Sequence, residues 1–118
     1  MENQKNFPKK VDIYDTTLRD GCQAEGIQFS TPDKIQFTQI LDDFGVSYIE
    51  GGWPGSNPAA VSYFQEVQKI DLKQIKLASF GSTRRAKATP SEDPGMKALL
   101  DAKPPVVTIF GKTWDMPV

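Results

Sequence analysis

Three observations predict an α/β fold built on a parallel sheet. Apolar, strand-like runs begin near residues 11, 46, 75 and 105. The first three are each followed by a segment with helical apolar spacing, and the interval of about 30 residues is that of a βαβ unit. Each strand also ends in a loop rich in glycine or charge, as expected where a strand turns back into a helix. Strand–helix alternation at this period makes successive strands parallel and packs the helices on the sheet.

Each element has its own justification. Val11-Asp12-Ile13-Tyr14 alternates as a strand and runs into Asp15-Thr16-Thr17-Leu18-Arg19-Asp20-Gly21. Within Ser30-Thr31-Pro32-Asp33, Thr31 is the expected N-cap, Pro32 suits the first helical position and Asp33 suits the positive end of the helix dipole. Ile35, Phe37, Ile40, Leu41 and Phe44 then form an apolar stripe, and Gly45 is the expected stop. Val46–Glu50 reads as the second strand, with Gly51-Gly52-Trp53-Pro54-Gly55 as a tight turn. Asn57-Pro58 opens a second helix whose Val61, Phe64, Val67 and Gln68 share a face. Ile75–Phe80 is a third strand, a shorter helix starts near Asp93-Pro94, and Val106–Phe110 is a fourth strand.

Composition narrows the function. The chain has 118 residues, 14 Lys+Arg against 15 Asp+Glu, no His and one Cys. A net charge of −1 leaves no basic excess for a nucleic-acid backbone or an anionic membrane surface. No apolar run approaches the ~20 residues that span a bilayer, the N-terminus lacks a signal-peptide core, and a lone Cys forms no internal disulfide. The expectation is a cytoplasmic chain. The absence of His removes Ser-His-Asp and Cys-His arrangements and the usual general base near neutral pH.

The groups left for chemistry follow the strands: Arg19 and Asp20, Glu50 with its glycines, Arg84 and Arg85, and Lys112. In parallel α/β folds the carboxyl ends of the strands form one rim, which gathers these groups. Arg19-Asp20 is read either as a loop ion pair or as an oxyanion stabiliser beside a hard-oxygen metal ligand. Glu50 is either the ion-pair partner of Arg19 or a group that orients it and moves a proton. Gly81-Ser82-Thr83-Arg84-Arg85 carries donors for an anion but lacks the Walker lysine spacing. Cys22 has no base near it in sequence and reads as a passive small side chain.

Leu18-Arg19-Asp20-Gly21-Cys22-Gln23, with Lys34 after ten intervening residues, resembles the first signature of the isopropylmalate/homocitrate/citramalate synthase family. Tyr48-Ile49-Glu50-Gly51-Gly52-Trp53-Pro54-Gly55-Ser56-Asn57-Pro58, Phe80–Arg85 and Val106–Lys112 are most similar to its citramalate branch. The resemblance implies a metal-dependent acyltransferase on a TIM (β/α)8 barrel, of which residues 1–118 are the N-terminal half, about four strands and three helices. It implies condensation of acetyl-CoA with an α-keto acid, pyruvate in this branch, and release of CoA. Asp20 is the implied ligand of Mg²⁺ or Mn²⁺. Arg19 and Glu50 are the implied catalytic pair, and Gln23, Gly52, Ser79 and Thr83 the implied substrate contacts.

The family's His-x-His pair, which completes the metal site, has no counterpart here because the chain has no His. The expectation is therefore an N-terminal piece carrying part of an active site, inactive alone, and a homodimer when full length. Two alternatives stand beside it: a stand-alone half-barrel that binds CoA or another anion, and isopropylmalate or homocitrate synthesis by the whole protein.

Overall fold

A computed structural model describes residues 10–23, 26–83, 89 and 91–111, with Gln23 described by its backbone alone. The elements run β1 (Tyr14–Asp15), a 3-10 turn at Gly21–Gln23, α1 (Thr31–Phe44), β2 (Tyr48–Gly52), α2 (Pro58–Val67), β3 (Lys76–Ser82), α3 (Pro94–Asp101) and β4 (Val106–Phe110). All three strand pairings are parallel and the sheet order is β1-β2-β3-β4. The expected α/β architecture is present, four parallel strands and three helices, as in a partial barrel.

The sheet is strongly curled. Three strand gaps would put β1 and β4 roughly 14 Å apart in a flat sheet. Yet the Tyr14 hydroxyl and Thr108 Oγ1 are 2.6 Å apart, joining the first strand to the last across the concave face. Tyr14 also leans on Tyr48, with ring centroids 6.1 Å apart. The helix layer lies on the other, convex face. There Ile49 and Leu77 from the sheet pack with Tyr63, Phe64 and Val67 of α2 in the main hydrophobic cluster.

Several boundaries differ from the sequence reading. β1 contributes only Tyr14 and Asp15 to the ladder, while β2 runs two residues past Glu50 and so takes Gly51 and Gly52 out of the turn. The N-cap of α1 is Ser30, not Thr31. Its hydroxyl accepts from the Asp33 N–H while the Asp33 carboxylate accepts from the Ser30 N–H, a reciprocal box that Thr31 would form only one residue out of step. Asn57 caps α2 as expected, and α3 begins at the expected Pro94 with Asp93 as its cap.

The buried faces differ more. In α1 the fully buried residues are Lys34, Thr38 and Asp42; Ile35, Phe37 and Leu41 of the expected stripe pack partly buried against the core, whereas Ile40 and Phe44 are 55% and 81% exposed. The polar stripe is accommodated because its groups find partners. Thr38 Oγ1 donates to the Lys34 carbonyl at 2.8 Å, which leaves it to accept from the Tyr63 hydroxyl at 2.7 Å. Asp42 accepts from the backbone N–H groups of Lys73, Gln74 and Ile75 at 2.6, 2.9 and 2.9 Å, tying α1 to the entry of β3. Burial alone would raise the Asp42 pKa; the three N–H donors outweigh it and hold the carboxyl below its ordinary value. In α2 the buried residues are Ala60, Tyr63, Phe64 and Val67, Val61 is exposed, and Gln68 caps the helix end and donates to the Ala102 carbonyl.

Candidate functional site

The loop after β1 is shaped by its own short side chains. Asp15 accepts from the Thr17 N–H at 2.9 Å and its hydroxyl at 3.1 Å, and the Thr16 carbonyl accepts from the N–H groups of Arg19 and Asp20. This turn delivers Arg19 to the carboxyl end of β2, where its Nε donates to Glu50 Oε1. Glu50 is 1% exposed. The ion pair therefore joins Arg19 to Glu50 rather than to its neighbour Asp20, so the loop-pair reading is corrected. A buried carboxylate takes the cation it can reach with least exposure to water, and Asp20 is already solvated.

Arg19 has a second constraint. Its guanidinium carbon lies 4.0 Å from the centroid of the Phe80 ring, a cation–π contact. Phe80 meets Trp53 edge-on at 5.3 Å and stacks with Phe110 at 6.5 Å. Arg19, Trp53, Phe80, Ser82, Thr83 and Phe110 line a cleft of about 760 Å³ at the carboxyl ends of the strands. The aromatic members were not singled out in the sequence. The signal for them is period-two alternation, because Phe80 and Ser82 share one face of β3 with Ala78.

The same alternation corrects Ser79. It shares the opposite face with Leu77, in the helix-side cluster, and with Gly81, where an added Cβ would lie 2.9 Å from Leu99 Cγ of α3. Ser79 is completely buried and, among the described residues, its hydroxyl has no hydrogen-bond partner; the pleat turns it toward the helices and away from the cleft where substrate contact was expected. Thr83 is exposed on the cleft. Gly51 and Gly52 lie at an irregularity of the β2–β3 register. A Cβ on Gly51 would collide with the Tyr63 ring and lie 2.8 Å from Phe64 Cζ, while Gly52 has φ 135° with Ala60 Cβ at 2.9 Å from its Cβ position. Both are glycine because α2 presses on the strand here.

Asp20 is exposed, and among the described residues its carboxylate has no hydrogen bond or ion pair. A lone hard oxygen on the rim fits one ligand of Mg²⁺ or Mn²⁺. Among the described residues no group of three His, Cys, Asp or Glu side chains could hold a metal, so Asp20 would be one ligand of an incomplete set. The Gln23 side chain, Arg84, Arg85 and Lys112 lie outside the described residues. No helix among the described residues is long and apolar enough to cross a membrane.

Residues 10–116 match the HMGL-like family model. The chain is 58% identical over 108 residues to an (R)-citramalate synthase of Geobacter sulfurreducens, covering 92% of this chain and 20% of that protein. It is 45% identical over 112 residues to the (R)-citramalate synthase of Sulfolobus acidocaldarius, covering 95% of this chain and 21% of that protein. Against a 2-isopropylmalate synthase of Streptococcus gallolyticus the identity is 35% over 102 residues, 86% of this chain and 19% of that one. The chain thus spans about a fifth of the length of these relatives. Enzymes of this kind are generally metal-dependent acyltransferases. With a family match over nearly its whole length, a curled parallel sheet and its charged groups gathered at the strand ends, the chain belongs to the HMGL-like family.

Proposed function

We propose that this chain forms the N-terminal half of the barrel of an acyltransferase that condenses acetyl-CoA with pyruvate and releases CoA. The observation that carries the reading is Arg19, held by buried Glu50 on one side and by the face of Phe80 on the other, at the edge of the cleft. The whole enzyme is read as cytoplasmic and homodimeric.

The reaction joins the methyl carbon of the thioester to the keto carbon. The methyl gives up a proton, the keto oxygen takes up the displaced electron pair and is then protonated, and water cleaves the thioester. Negative charge therefore grows on the keto oxygen. The Nε of Arg19 is committed to Glu50, which leaves its two terminal nitrogens to donate to that oxygen. A donor already fixed in place favours the transition state over the ground state, since no reorganisation is needed when charge appears. Glu50 acts through Arg19 as a positioning residue, and Thr83 and Gly52 border the space for the keto acid. By the family resemblance Gln23 lines the same space. Asp20 would hold the divalent metal, which when bound supplies a Lewis acid for the keto acid. The histidines that complete the metal site are proposed to lie in the rest of the barrel.

The test replaces the matching segment of the Geobacter sulfurreducens enzyme with residues 10–116 and follows CoA release with pyruvate, 2-oxoisovalerate and 2-oxoglutarate. Pyruvate-dependent release that needs Mg²⁺ or Mn²⁺ is expected, and Arg19→Lys lowers kcat by about 10²–10³. The 118-residue chain alone shows no turnover, since one carboxylate cannot fix the metal's geometry. A preference for either of the other keto acids, or full activity of the Arg19→Lys chimera, refutes the reading.

A further inference from the structure

Lys34 is the one charged residue of the signature that the proposed reaction leaves without a role. It is 6% exposed, on the buried stripe of α1. Among the described residues its ammonium has no ion pair and no hydrogen bond. The buried carboxylates Glu50 and Asp42 are committed to Arg19 and to three backbone N–H groups, Asp33 of the same helix is committed to Ser30, and Asp20 is exposed to water. Its place near the start of α1 adds a further cost, because the positive end of a helix disfavours a cation. A charge buried under these terms and left without a counter-charge needs a partner from outside.

Lys34 lines a separate cavity of about 160 Å³ behind Arg19, walled also by Cys22, Gly52, Ser56 and Asn57. The polar groups there are mostly donors. Arg19 borders both this cavity and the open cleft, with two terminal nitrogens uncommitted to Glu50. Asn57 Oδ1 accepts from the Ala59 N–H, which leaves its NH₂ as a donor, and Ser56 supplies a hydroxyl. The Arg19–Glu50 pair is neutral, so the cavity retains the charge of Lys34. Its volume equals that of about five waters, enough for a carboxylate or phosphate group and too small for a nucleotide.

We propose that this cavity is a binding site for a small oxyanion, a carboxylate or phosphate group, with Lys34 as its counter-charge. The inference rests on the side chains of this chain alone and does not depend on the acyl-transfer reading. Cys22 and Lys34 line the same cavity.

Cys22 is the chain's only cysteine and serves as the reporter. Its alkylation by iodoacetamide is followed in the full chain at constant ionic strength while phosphate, acetate or pyruvate replaces chloride. Saturable protection, slowing alkylation at least tenfold, is expected. Lys34→Arg keeps it at a similar anion concentration, and Lys34→Met needs at least tenfold more anion. Half-protection at tenfold lower pyruvate than acetate or phosphate identifies a substrate-borne carboxylate; equal concentrations identify a free anion. Both support the site. Absence of protection by all three anions, or equal protection of the parent and Lys34→Met, overturns it. If circular dichroism shows Lys34→Met unfolded, the parent and Lys34→Arg decide: saturable protection in both supports the site, and its absence in the parent overturns it.

Discussion

Replacing Glu50 with Gln keeps the shape of a side chain that is 1% exposed and removes its charge. Arg19, whose side chain is 21% exposed, is then a mostly covered cation facing a neutral amide. Breaking a buried ion pair from one side costs about 3–5 kcal/mol, because the surviving charge stays desolvated. The Phe80 face and the remaining water contact of Arg19 bring the expectation to the low end, about 3 kcal/mol. With a urea m-value of roughly 1.5 kcal/mol/M for a chain of this size, the unfolding midpoint falls by about 2 M. Urea titration of the chain by far-UV circular dichroism measures this directly. Asp20→Asn, at an exposed carboxylate without a described partner, is the control and shifts stability by no more than about 0.5 kcal/mol. A Glu50→Gln midpoint within about 0.3 M of the parent, or an Asp20→Asn loss as large as that of Glu50→Gln, refutes the assignment of Arg19 to Glu50.

Asp42→Ala leaves the N–H groups of Lys73, Gln74 and Ile75 without their acceptor, for an expected loss of about 2–4 kcal/mol in the same titration. Because the folded Asp42 pKa lies below its unfolded value, its contribution is complete above about pH 4 and is lost as pH falls through the folded pKa. Asp42→Asn should therefore flatten the fall in stability between pH 5 and pH 2, a difference read from urea midpoints at each pH. Gly51→Ala drives a Cβ into the rings of Tyr63 and Phe64, and a melting curve should show a loss of about 1–3 kcal/mol. Burial pushes the Tyr63 phenol up to about 12 despite its bond to Thr38, so ultraviolet titration should show a phenol step at about pH 12. Tyr63→Phe removes that step.

The strand spacing and the starts of α2 and α3 were legible because they are local, and the α1 cap was misplaced by one residue. Asn57 and Asp93 satisfy N–H groups two or three residues away, and short side chains followed by proline advertise that chemistry without reference to the rest of the chain. The inward face of α1 was legible only in part: Ile35, Phe37 and Leu41 of the apolar stripe do pack against the core. Apolar spacing selected Ile40 and Phe44, while the fold buried Thr38 and Asp42 against Tyr63 and the loop before β3, partners 25 and 31 to 33 residues away. Hydrogen bonds over that separation make polar residues acceptable in a core, and a pattern based on hydrophobicity alone does not register them.

The site divides in the same way. Residue order alone put Arg19, Asp20 and Glu50 on the rim, since charged residues directly after parallel strands share one end of the sheet. Their pairing was decided by tertiary structure: Glu50 reaches Arg19 because β2 lies beside β1 and the turn at Asp15–Thr17 aims the arginine across it. The side chains that face the cleft were set by strand direction and pleat, which turned Phe80 inward and Ser79 outward although they are adjacent. The sequence by itself determined which chemical groups the chain has and the order in which its strands present them. Folding determined which groups lose water together, and desolvation is what separates Arg19 and Glu50, paired as they are covered, from the exposed Asp20.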